Sequence, residues 1–241
     1  MFSDCRVKDI LASAAAEKGE QTAENDIDGG DELSGREDEL MGEKVFDGQS
    51  VVVLARLAAI RRTPTKKGDL MAMLTVEDAT GSVEGVCFPD YWKKVSLLTK
   101  DSTPETCFFV AGQVDFSRDN PQIKVFDLIT PEEVFPRLAD YVILDLANCA
   151  RERQREKISR LKSLLEKMRG DTKVALRIDT DEYTVDILLP SDMNICASSD
   201  NYRLLKGEFG EQRVLVKSKG FKAPRRRSGN GKGRFRNGRS S

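Results

Sequence analysis

Between Ser50 and Ile129 the chain carries five short β-rich runs, with one proline-started run between the third and the fourth. They are SVVVLARLAAIRRT, LMAMLTVED, VEGVCF, CFFVAGQVDF and QIKVFDLI. Turn signals separate them: TKKGD with Gly68, ATGS with Gly81, and SRDNP. Short strands at even spacing predict a barrel or a sandwich. PDYWKKVSLL reads as a short helix, because Pro suits a first helical turn. Three strands, a helix and two strands is the order of the five-stranded OB-fold barrel. In the second run Ala72, Leu74 and Val76 share one face.

A smaller α+β unit is expected over residues 140–217. YVILDL reads as a buried strand. REKISRLKSLLEKM reads as an amphipathic helix, with Ile158, Leu161, Leu164, Leu165 and Met168 on one stripe and Gly170 at a C-cap. KVALRID, YTVDILLP and RVLVKS complete a sheet, with a short helix near Ser199–Leu205. The fold class is therefore mainly β: a barrel over 49–135, then the α+β unit.

The two ends differ sharply. Residues 1–16 read as a short amphipathic helix with Val7, Ile10, Leu11 and Ala14 at helical spacing. Residues 17–47 are rich in Asp and Glu and poor in large apolar side chains, so burial cannot offset chain entropy there. The stretch 1–48 is thus expected to be acidic and mostly disordered. Beyond Glu211 every charged residue is Lys or Arg, and 218–241 reads as a disordered Arg/Gly-rich tail. The formal net charge of −1 hides this asymmetry, which suggests a polyanionic partner for the tail.

Several function classes fall away on composition. There is no histidine, which removes Ser-His-Asp and Cys-His nucleophilic sites and every His-ligated metal site. Cys5, Cys87, Cys107, Cys149 and Cys196 are scattered, with no CxxC pair, against both zinc and a disulfide framework. Glu77-Asp78 reads as turn chemistry, with Asp78 accepting N–H bonds across Ala79-Thr80-Gly81. No cofactor and no metal are expected. No apolar run approaches a membrane span and no secretory start is visible, so a cytoplasmic protein is expected.

What remains is binding. OB-folds grip oligonucleotides across strands two and three, with the one-two and four-five loops as jaws. The one-two loop here holds Arg61, Arg62, Lys66 and Lys67, four cations in seven residues. Phosphates need such partners, and each neutralised phosphate releases counterions. Phe88 and Phe116 close strands three and four and are candidate stacking rings. Trp92, on the helix, is expected in the core. Arg118 and Lys124 would complete a cationic groove from the four-five loop. In the tail Arg225, Arg226, Arg227, Arg234, Phe235 and Arg236 combine charge with one ring.

The runs RRTPTKKGDLMA, LTVEDATGSVE and FPDYW resemble the OB-fold region of the alpha subunit of bacterial DNA polymerase III. LEKMRGDTKVALRID resembles the segment that follows it in the same subunit, so the resemblance covers about Gln49 to Val216. Where that family tends to show an aromatic, Met73 stands here, and it joins the candidate contacts. The family's polymerase and PHP domains need upstream acidic residues and several histidines, which this chain lacks. The resemblance implies a non-catalytic module that contacts single-stranded DNA and is associated with replication. Two alternatives stay open: an adaptor that docks replisome proteins through 140–217, and an RNA- or tRNA-binding barrel, since some anticodon-binding barrels share a DATGSVE-like turn.

Overall fold

A computed structural model describes residues 2–23, 44–100, 102–147, 151–180 and 182–224. Five strands close into a barrel: β1 (Ser50–Pro64), β2 (Leu70–Asp78), β3 (Gly81–Cys87), β4 (Cys107–Asp115) and β5 (Gln122–Ile129). Their order is β1-β2-β3-β5-β4, with β3 and β5 parallel and β4 returning to β1. This is OB-fold topology. Ala72, Leu74 and Val76 point into the barrel with at most 1% exposure, as period-2 alternation requires.

Two helices pack at opposite ends of the barrel. Helix α2 (Pro89–Leu98) buries Trp92 and Val95 at the end where β2 begins and β3 finishes. Helix α1 (Val7–Ala23) buries Val7 and Ile10 in the same core, next to the β2–β3 turn. The Asp78 carboxylate explains that contact. One oxygen accepts the N–H groups of Thr80 (2.7 Å) and Gly81 (3.2 Å) inside the turn. The other accepts the Val7 N–H at 2.9 Å, and Thr80 Oγ1 accepts from Lys8, so the turn caps α1 from another element. These bonds hold the carboxyl below its ordinary range although desolvation, the largest single influence, pushes it up.

The N-terminal part is therefore more tied down than expected. Helix α1 runs seven residues beyond the expected end at residue 16, and Ser3 and Asp4 bond the backbone of β1 at Val52 and Leu54. Lys44–Gln49 also return to the barrel: Val45 N–H meets Ser13 Oγ and Gly48 N–H meets the Val114 carbonyl. The core of the acidic run, residues 24–43, lies outside the described residues.

Helix α3 (Pro131–Leu138) was not expected. Thr130 caps it by accepting the Glu133 N–H, and Pro131 opens it. Its Val134 and Leu138 pack on Val52, Phe109 and Ile129 of the barrel, while Phe135 enters the next core. That core belongs to a four-stranded sheet, β8-β7-β6-β9, built from β6 (Ala139–Asp145), β7 (Arg169–Asp179), β8 (Thr184–Leu188) and β9 (Val214–Ser218). Helices α4 (Arg151–Lys167) and α5 (Ser199–Phe209) cover one face through Leu161, Leu165, Leu205 and Phe209. Of the expected α4 stripe, Ile158 is 44% exposed.

Gly170 is not a helix C-cap. It is the second residue of β7, and its N–H donates to the Asn194 carbonyl at 3.1 Å. The Cys196 backbone crosses it so closely that a Cβ would lie 2.4 Å from Cys196 N and Cα. Close backbone approach, not turn conformation, requires glycine here.

Candidate nucleic-acid interface

Register brings several of the candidate residues into one row on the outer wall of the barrel. Arg61 of β1 faces Met73 of β2, Met73 faces Val86 of β3, and Val86 faces Lys124 of β5. The row continues to Gln113 of β4 and Ser50 at the start of β1. Phe88 lies two residues beyond Val86 on the same side and is 40% exposed.

The one-two loop stands beside the start of this row. Gly68 N–H closes a turn on the Thr65 carbonyl at 2.9 Å, and Gly68 adopts φ +85°, which glycine tolerates without strain. That turn presents Lys66 and Lys67 at its exposed tip. Among the described residues no ion pair engages Arg61, Lys66, Lys67 or Arg118, so their charges are available to a ligand.

Three expected contacts are placed differently. Arg62 pairs with Ala72, on the opposite side of β1 from Arg61, and its side chain, still exposed, lies over the Trp92 ring at 6.0 Å. It caps the plug helix rather than joining Arg61. Phe116 is half-buried against the barrel core, and its N–H donates to Asp47 at 2.7 Å. Lys124 is on the outer wall, but its ammonium is held by Asp115 at 2.6 Å. The tail residues Arg225, Arg226, Arg227, Arg234, Phe235 and Arg236 lie outside the described residues. Trp92, expected in the core, is 4% exposed.

The Asp115–Lys124 pair has a pH signature. Desolvation pushes the Asp115 carboxyl up, but Lys124, the Ser117 hydroxyl at 2.6 Å and the Ser117 N–H together outweigh it and hold it at about 2. A carboxyl depressed from 3.8 stabilises the fold fully above that value and loses its contribution as pH falls toward about 2. Thermal melts between about pH 4 and pH 2 are therefore expected to fall less steeply in Asp115→Asn than in the parent chain. Equal slopes would show that the pair does not couple to folding.

A cleft of about 680 Å³ lies away from this row, between the N-terminal segment and the other end of β1 and β2. Of the two arginines that line it, Arg6 and Arg56, Arg56 is already paired with Glu77 at 2.7 Å.

No protein-family model matches the chain. Curated relatives do. DNA polymerase III subunit alpha of Bacillus subtilis is 26% identical over 166 residues, covering 69% of this chain and 14% of the relative. The same subunit of Aquifex aeolicus is 27% identical over 158 residues, covering 63% of this chain and 13% of the relative. That of Treponema pallidum is 35% identical over 83 residues, covering 34% of this chain and 7% of the relative. The chain is related to one region of the DNA polymerase III alpha subunit. It spans only about 14% of the length of the Bacillus alpha subunit, so the relation concerns a part and not the whole polymerase. Solved OB-fold structures also resemble it at a low level. The second OB-fold domain of replication protein A from Methanococcus maripaludis is 20% identical, covering 37% of this chain and 90% of that one, at TM-score 0.28. A mitochondrial single-stranded DNA binding protein from S. cerevisiae is 10% identical, covering 35% of this chain and 98% of that one, also at TM-score 0.28. Among the described residues no helix is long and apolar enough to cross a membrane.

Proposed function

We propose that the chain is a non-catalytic module that binds single-stranded DNA in the setting of replication. The observation that carries this reading is the outer-wall row Arg61–Met73–Val86–Lys124, with Phe88 alongside and Lys66 and Lys67 at its mouth. Arg61, Lys66 and Lys67 at one side hold phosphates, and Met73 and Phe88 on the wall accept bases of any sequence, Val86 being only 8% exposed. The relation to the alpha subunit supplies the replication setting. The basic tail, with Arg225–Arg227 and Arg234–Arg236, adds a second grip of the Arg/Gly type. A cytoplasmic location accompanies this reading.

The test is a fluorescence-anisotropy titration of oligo-dT against salt. The expected result is binding with little sequence preference and a steep loss of affinity as salt rises. Absence of binding at low salt would end the proposal. A matched RNA oligomer in competition tells which polymer is preferred.

A protein-docking role for 140–217 is the second reading. It is favoured by exposed apolar side chains on that unit: Tyr183 at 69%, Leu188 at 58% and Leu204 at 58%. Partner capture that survives deletion of the barrel would support it.

A further inference from the structure

The sheet of the second unit has two unlike faces. Val142, Leu144, Val174, Leu176 and Val214 receive the helices α4 and α5. Strand alternation sends Tyr141, Lys173, Arg177 and Lys217 to the other face. In register, Tyr141 of β6 sits between Lys217 of β9 and Lys173 of β7. Tyr141 is half-buried, while both lysines are exposed. Two acids on this face are already engaged: Arg177 donates to both oxygens of Asp186 at 2.7 and 2.9 Å, and Asp145, opposite Arg177 in register, accepts the Ala147 N–H at 2.9 Å. Lys173 meets Asp140 only loosely, at 3.7 Å. The open face thus presents an aromatic residue on a strand whose two neighbours, about 5 Å to either side, each carry an exposed lysine in register with it.

From Lys217 the chain runs directly onto the barrel. Lys219 N–H donates to the Leu138 carbonyl at 2.9 Å, and Ala223 N–H donates to Ser50 Oγ at 3.2 Å. Between them Phe221 stacks on Phe126, with ring centroids 6.2 Å apart and planes at 24°. Phe126 is the extra residue of a β-bulge, since Gly112 pairs with Val125 and Ala111 with Asp127. It lies two residues past Lys124. Ser50 is the last member of the outer-wall row. A basic segment with Lys217, Lys219 and Lys222 therefore joins the open sheet face to that row.

We propose that the open face of β7-β6-β9, centred on Tyr141 between Lys173 and Lys217, is a second contact for single-stranded nucleic acid, continuous with the barrel through residues 217–224. The inference rests on the barrel reading above. The occupant is a single strand because ring plus flanking cations offers a base a stacking surface and its phosphates two partners. A protein partner is the competing outcome.

The experiment uses the full chain with oligo-dT of about 8 nucleotides, near one barrel's site, and of about 30. Each lost phosphate contact is worth about fivefold in affinity at 0.1 M salt. The Lys173→Glu/Lys217→Glu variant is expected to bind the long oligomer about 25-fold more weakly and the short one unchanged. Lys162→Glu/Lys167→Glu makes the same charge change on α4, behind the sheet, and should stay within about twofold. An unchanged long-oligomer affinity, an equal loss for both lengths, or an equal loss in the α4 control would each overturn the inference. So would loss of protein capture with oligomer binding intact. Failure of the parent chain to bind even the short oligomer would instead bring down the barrel reading, and this one with it.

Discussion

Reversing Arg61, Lys66 and Lys67 together to Glu is expected to weaken oligo-dT binding by about a hundredfold or more at 0.1 M salt. The three cations stand at the mouth of the outer-wall row and are engaged by no acid among the described residues. Each contact with a single-strand phosphate contributes about 0.7 to the salt slope, so three lost contacts should flatten log K against log salt by about 2. Arg62→Glu, next to Arg61 in β1, is the matched control. Its guanidinium sits over Trp92 on the opposite side of β1 from Arg61, so its effect should fall on the melting temperature rather than on affinity. A hundredfold loss with an unchanged salt slope would point to misfolding instead. Asp115→Asn should act in the opposite direction, because it removes an anion and releases Lys124 on the same wall. A gain of about fivefold is the value of one freed phosphate partner.

The difference between Arg61 and Arg62 shows how far the sequence could be read. Their charge and the loop were visible in RRTPTKKGD, and so was the alternation that buries Ala72, Leu74 and Val76. Adjacent strand residues point to opposite faces, so the two arginines had to part. Which one joins the row depends on the β1–β2 register, where Arg62 pairs with Ala72, and that register passes through a shift between Leu57 and Ala59. The Asp115–Lys124 pair was hidden for a similar reason. The residues lie diagonally across two strands, in a register fixed by the turn that joins β4 to β5. Helix α3 did have a signal, Thr130-Pro131-Glu132-Glu133, a cap followed by a proline start and an acidic first turn. Gly170 was misread because a glycine after an amphipathic run most often ends a helix, and nothing local reveals that Cys196 will cross it. The N-terminal helix was legible by its period, but its anchor, Asp78, lies 71 residues away.

A single methyl group should have opposite effects at two glycines, and the barrel site carries the larger one. Gly112 lies in β4 beside the β5 bulge, where a Cβ would stand 2.5 Å from Ile123 Cγ2 and 2.6 Å from the Lys124 carbonyl oxygen. The Ile123 side chain is fully buried and the carbonyl belongs to a paired strand, so neither can yield cheaply. Overpacking of this kind costs about 1–3 kcal/mol or more. At roughly 4–8 °C per kcal/mol for a unit this size, Gly112→Ala should lower the melting temperature by about 10 °C or more. Pushing the Lys124 backbone also disturbs the outer-wall row, so affinity for oligo-dT should fall in the same variant. Gly207 sits inside α5 with nothing within 4 Å of a Cβ. There Ala replaces the poorest helix former short of proline with the best, and Gly207→Ala should stabilise by about 0.5–1 kcal/mol. A Gly112→Ala protein that melts within about 2 °C of the parent would mean that β4 and β5 do not approach as closely as the barrel requires. The binding wall would then lose the rigid floor that sets Lys124 beside Val86 and Met73.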